Sequence, residues 1–248
     1  MGTFQTSVNA YLSPGIEGGW ASNNPYVSML SSNTGDLSDP TSGAWRVGTT
    51  GAIIGRFAFA DVVTGLVTSA NPGTGVPFVE GTSGQPGRVR VAFVQRDQLA
   101  LITAYLGSDT LTLFSGQNVS LLARGDVFAR FAAGAAVGSF VFASFADGSA
   151  VAGATTTAPT TTYSVTTASG SPNLTAVGAG AYAGQPISGT GIPAGAYLVS
   201  VNGTTAVMSA NASATGTVTA TATTAQLTPW RVDSLAGNGE LAKISVWG

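Results

Sequence analysis

Apolar positions in this chain recur in short runs of period two and almost never with the 3.6-residue period of a helix. Period two is the repeat of a strand whose successive side chains point to opposite faces. Residues 88–93 set Arg88, Arg90 and Ala92 against Val89, Val91 and Phe93, which predicts a strand with one wet face. Residues 127–132 set Val127, Ala129 and Phe131 against Phe128, Arg130 and Ala132. Residues 51–60 form a predicted strand with Phe57 and Phe59 on one side. Residues 139–145 are apolar on both sides, as suits a strand covered on both, and Asp147-Gly148 follows as a turn. Residues 110–114 and 119–122 are shorter strands, and 244–247 supply a last one. Helical spacing is confined to Leu99, Ile102 and Leu106, where Thr103 breaks the stripe and Gly107 ends it; residues 27–31 add at most one turn.

At Ala152 the texture changes. Residues 154–162 are a Thr-rich, uncharged run with the composition of a linker or extended edge. Strands are predicted over 164–167, 196–201, 205–208 and 217–221, with Asn202-Gly203 as a hairpin turn. After Gln226 the aromatic, charged texture returns. The sequence therefore predicts an all-β protein: a β-barrel or jelly-roll-like core domain (1–154 and 225–248, with an N-terminal arm over 1–26) and a small inserted β-sandwich-like domain over 155–224. A surface loop tolerates such an insertion at small entropic cost.

Charge sharpens this division. The 248 residues carry only nine Lys+Arg and eleven Asp+Glu, 8% of the chain against roughly 25% in ordinary soluble domains. None lies between Asp147 and Arg231. All eleven Phe and all four Trp lie outside the insert, whose aromatics are Tyr163, Tyr182 and Tyr197. The aromatic core thus belongs to the interrupted domain. Without His or Cys, the triads and dyads built on imidazole or thiolate are excluded, as are the ordinary zinc sites and any disulfide framework. Eight scattered arginines make no basic patch, so no nucleic-acid partner is expected. The most apolar stretch, 127–143, is interrupted by Arg130 and falls short of a membrane span, and the N-terminus carries no secretion signal; no membrane association is expected.

Few residues point to chemistry. Residues 178–183 (Gly-Ala-Gly-Ala-Tyr-Ala) loosely match a dinucleotide-binding turn, but Pro186 and Pro193 forbid the helix that must follow, and no acid stands about 20 positions on. Asp36 and Asp39 lack the spacing of a calcium loop, and an Asx turn before Pro40 explains them. No pattern selects two of the eleven carboxylates as a glycosidase pair. No enzyme activity, cofactor or metal is expected.

Several stretches resemble the structural cement (capsid decoration) proteins of tailed bacteriophages. They are Ser13-Pro-Gly-Ile-Glu-Gly-Gly-Trp-Ala-Ser-Asn-Asn-Pro25, Gly55-Arg-Phe-Ala-Phe-Ala-Asp61, Arg90-Val-Ala-Phe-Val-Gln-Arg96, Ala123-Arg-Gly-Asp-Val-Phe-Ala-Arg130 with Gly138-Ser-Phe-Val-Phe142, and Gly239-Glu-Leu-Ala-Lys-Ile-Ser-Val-Trp247. Gly138-Ser139 departs from the family's usual glycine with a longer polar residue, and the insert is much longer than the usual loop. The insert is similar to a separate β module of phage virion proteins, through Gly184-Gln-Pro-Ile-Ser-Gly-Thr-Gly-Ile-Pro-Ala-Gly195 and Val201-Asn-Gly-Thr-Thr205.

The resemblance implies a virion protein on the outer capsid surface that stabilises the shell. Its implied partners are the major capsid protein and further copies of itself, as a dimer or trimer. Exposed-prone aromatics of residues 4–26, namely Phe4, Tyr11, Trp20 and Tyr26, are the candidate interface anchors, with Arg88 and Arg90 as candidate charged contacts. The alternative is a phage adhesion or carbohydrate-binding module, in which the Thr/Ser/Asn-rich insert takes host-surface glycans.

Overall fold

The computed structural model describes residues 15–28, 45–78, 89–96 and 111–246, and every regular element among them is a β-strand. The first ten are β1 (Val27–Ser28), β2 (Trp45–Val47), β3 (Ala52–Ile53), β4 (Phe57–Asp61), β5 (Leu66–Thr68), β6 (Pro77–Phe78), β7 (Val89–Val94), β8 (Thr112–Leu113), β9 (Asn118–Val119) and β10 (Leu121–Arg124). They build a mixed sheet in the order β1-β10-β7-β4-β5-β2-β9, with β6 parallel beside β7 and β3 paired separately with β8.

The chain continues through β11 (Asp126–Phe131), β12 (Phe140–Ser144) and β13 (Ala150–Gly153). Six strands of the insert follow: β14 (Thr160–Thr167), β15 (Asn173–Leu174), β16 (Ile187–Ser188), β17 (Leu198–Asn202), β18 (Thr205–Met208) and β19 (Gly216–Thr223). The chain then returns as β20 (Ala225–Val232) and β21 (Glu240–Ser245). Strands β11-β13-β12-β20-β21 close into a barrel. Closure removes the exposed edges of an open sheet. The all-β, barrel-bearing expectation is met.

Alternation places the cores. Val127, Ala129 and Phe131 of β11 point into the barrel with Val141, Ala143, Trp230, Val232, Ala242 and Ile244. The same core extends to Phe57 and Phe59 of β4 and to Val89, Val91 and Phe93 of β7. Trp230 holds this junction: its ring centroid lies 5.9 Å from Phe93 and 6.4 Å from Phe57, and Phe59 stacks on Phe145 at 5.9 Å. The other face of β4 and β7 presents Ala58, Ala60, Ala92 and Val94 to a second core of Trp45, Val47, Ile54, Val67 and Leu121.

This second core corrects the expected wet face of 88–93. Ala92 is buried and Arg90 half-buried, because the sheet is covered on both sides. The predicted strand over 51–60 is two strands, β3 and β4, since Ile54–Arg56 turn at Gly55, whose φ is +82°. Residues 119–122 likewise divide between β9 and β10. Val27 and Ser28 pair with β10 as a strand instead of turning, and the closing strand is β21, earlier than 244–247. Leu99, Ile102, Leu106, Arg88 and Trp247 lie outside the described residues.

The insert stacks two three-stranded sheets, β14-β19-β16 and β15-β18-β17. Tyr163, Val165, Ile187, Ala220 and Ala222 of the first meet Leu174, Leu198, Ala206 and Met208 of the second in a core of its own. The Thr-rich run is part linker and part strand, since β14 starts at Thr160 and pairs with β19 over its whole length. The hairpin turn falls on Gly203-Thr204, one residue later than expected, with Asn202 paired to Thr205.

Candidate docking face

The segment 15–28 runs beside β11 and then β10 and is fixed there by backbone pairing. Gly18 N–H donates to the Phe128 carbonyl (2.8 Å), Phe128 N–H to the Gly19 carbonyl (3.0 Å) and Ala21 N–H to the Asp126 carbonyl (2.9 Å). Trp20 bridges to Val127 in antiparallel sense, and Val27–Ser28 continue along β10. The approach is close enough to require small residues. A methyl group on Gly18 would come within 2.9 Å of the Gly55 backbone nitrogen, and one on Gly55 within 2.4 Å of the Glu17 side chain. Both glycines also hold left-handed φ values, which a side chain would strain.

Polar contacts complete the seat. Asp126, buried at the start of β11, accepts hydrogen bonds from Ser22 Oγ (2.5 Å) and Asn24 Nδ2 (2.7 Å). Lys243 Nζ stands 3.4 Å from the same carboxylate and 3.5 Å from Asp233. Burial by itself would raise the Asp126 pKa. The hydrogen bonds from Ser22, Ser245 and Asn24 and the Lys243 charge outweigh it and hold the carboxyl below its ordinary 3.8. Glu17 pairs with Arg130 Nε at 2.7 Å, and Arg130 also donates to the Gly239 carbonyl.

Outward the segment presents four apolar side chains together with Asn23, Asn24, Pro25 and Ser28. Trp20 is 37% exposed, Tyr26 57%, and Ile16 and Val27 are exposed beside them. The Trp20 and Tyr26 rings meet at 4.6 Å, tilted by 46°, over the backbone of Gly125. Two rings held against each other on a pinned backbone lose little side-chain freedom on binding, which is how interface anchors gain affinity.

Of the six residues expected from the sequence, Trp20 and Tyr26 are brought together. Arg90 is not with them: it sits half-buried on β7, inside the sheet. Phe4, Tyr11 and Arg88 lie outside the described residues, as do Asp36 and Asp39. Residues 178–183 form turns; Gly178 leaves room for Tyr163, and Gly180 gives its carbonyl to Gln185, so packing accounts for the glycines. Ile16, Val27 and the Ser22–Asn24–Asp126 clasp were not foreseen. Ser22 and Asn24 lie about a hundred positions from Asp126, and no local spacing announces that contact.

A family model described as XM1 gp53 minor capsid protein matches residues 4–179. The chain belongs to this family. It is therefore a structural protein of the bacteriophage virion, associated with the capsid. The matched span includes residues 15–28 and ends within the insert, so that β20 and β21 lie beyond it. No curated protein matches the chain.

Proposed function

We propose that this minor capsid protein is a cement protein that binds the outer surface of the assembled shell through the docking face of residues 15–28. The observation that carries the reading is the Trp20–Tyr26 pair, exposed on a segment tied to β11 by backbone pairing and by the Ser22 and Asn24 hydrogen bonds to Asp126. A segment so fixed needs little further ordering when a partner covers it. The role requires complementary surface and no catalytic group; the protein acts by binding the assembled shell in preference to free subunits, which shifts assembly by mass action. Many copies on one shell multiply a modest contact, and self-association of the core domain is part of the proposal.

The test is binding of purified protein to heads that lack it. Truncating both rings, Trp20→Ala with Tyr26→Ala, should weaken binding by about 700-fold, as loss of two anchor residues of about 2 kcal/mol each implies. Undiminished binding by this folded variant would sink the proposal.

A further inference from the structure

The outer face of the insert's β15-β18-β17 sheet holds a shallow cleft of about 470 Å³. Asn173, Thr175, Ser200, Asn202, Thr205 and Val207 line it, above the buried Leu174 and Ala206. The register sets them in two rows. Val207 of the central strand pairs with Asn173 on one side and Ser200 on the other, and Thr205 pairs with Asn202. Five exposed amide and hydroxyl side chains thus ring one half-buried aliphatic side chain.

Two backbone irregularities produce the arrangement. In β17, Leu198 points into the insert core, and strict alternation would send Ser200 and Asn202 inward after it. A bulge between Leu198 and Ser200 resets the alternation, so that Val201 packs inward while Ser200 and Asn202 face the cleft. Re-aiming side chains is what a bulge does. Beside the cleft, Ala176 adopts φ +51°, alone in this among the described non-glycine residues. It turns the chain after Thr175, whose backbone is bonded to Thr166 in both directions. The bulged residue also lies close against the core domain: a methyl group on Gly73 would lie 1.9 Å from the Val199 carbonyl oxygen.

We propose that this cleft binds a neutral saccharide. Side-chain amides and hydroxyls can both donate to and accept from sugar hydroxyls, and Val207 offers an apolar seat for the C–H face of a ring. No charged residue occurs between Asp147 and Arg231, so the module has no cation of its own to select a carboxylate, sulfate or phosphate. The distance from β15 to β17 is twice the strand spacing, roughly 9–10 Å, which suits one or two sugar units. Single-site affinity is low, and an array of copies on a virion raises it through multivalency.

The full-length chain, isotope-labelled, is titrated with maltotriose, chitotriose and lactose and followed by amide NMR shifts. At least one sugar should shift residues 173–175 and 200–207. Asn173→Ala with Asn202→Ala should weaken that sugar about tenfold or more, as loss of two hydrogen bonds implies. Val207→Glu, on the same exposed face, should abolish binding without affecting binding to heads. No shift with any of the three sugars, shifts elsewhere, or binding that survives both variants would overturn the proposal. Tighter binding of galacturonate than of galactose would overturn the neutral assignment. Head binding through Trp20 and Tyr26 is scored separately, so either reading can fail alone.

Discussion

The barrel-bearing core and the insert solve the same problem, two sheets around a core, with different materials. The core buries Phe57, Phe59, Phe93, Phe131, Phe145 and Trp230 in one aromatic junction. The insert has no Phe or Trp and packs Ala, Val, Leu, Met and Ile around Tyr163. Large rings bury much area per residue and tolerate short, irregular strands such as β1, β3 and β6. Small side chains bury less, so the insert relies on regular pairing, as in the eight-residue β14–β19 ladder, and on a buried polar peg. That peg is Gln185, whose carbonyl accepts from Tyr182 N–H (2.9 Å) and lies 3.4 Å from the Tyr163 hydroxyl, while its amide donates to the Gly180 carbonyl (3.1 Å). The core rests on large buried rings, whereas the insert adds regular strand pairing and a buried hydrogen-bonded amide to a core of smaller side chains.

The largest expected effect follows from removing volume at the core junction. Trp230→Ala should cost about 3–5 kcal/mol, read in calorimetry as a lower transition for the core with the insert's transition in place. A single transition shifting as one would erase the distinction between the regions. Tyr163 gives the reverse case. Burial pushes its phenol up to about 12 from 10.0, so the folded insert favours the neutral form. Its contribution is complete below pH 10 and is lost as pH rises from 10 towards 12, up to about 3 kcal/mol. The insert should therefore melt first in alkali, and Tyr163→Phe should remove that sensitivity; alkaline melting of the core first would contradict it.

Gln185→Leu should cost about 1–3 kcal/mol by leaving the Tyr182 N–H and the Gly180 carbonyl unpaired, with the loss confined to the insert. The smallest effect belongs to residues 15–28. Asp126 has its pKa depressed, so its contribution is present above pH 3.8 and falls away as pH drops through the lower folded value. Acid should release residues 15–28 from the barrel before either core melts, seen as a change in Trp20 emission against a Trp20→Phe control. Asp126→Asn should flatten that acid response.

Composition separates two textures along the sequence: rings and charges on one side, Thr, Gly and Ala on the other. Strands with strict alternation, such as β11 and β18, were legible there as well. What alternation cannot express was missed. The face of 88–93 that bears Arg90 looked wet because Ala92 looks the same whether it meets solvent or the second core. Gly55 broke an expected strand through a left-handed φ, and the bulge in β17 reversed which residues face out. Of the contacts made by residues 15–28, the sequence marks only the aromatics Trp20 and Tyr26, because the Asp126 clasp and the Glu17–Arg130 pair join positions over a hundred residues apart.

The most direct measurement is a reconstruction of the intact virion that resolves this chain. The barrel should lie against the outer shell surface, with Trp20 and Tyr26 covered by capsid subunits and the β15-β18-β17 sheet turned to solvent. Density with the insert against the shell and the Trp20–Tyr26 face open to solvent would contradict it.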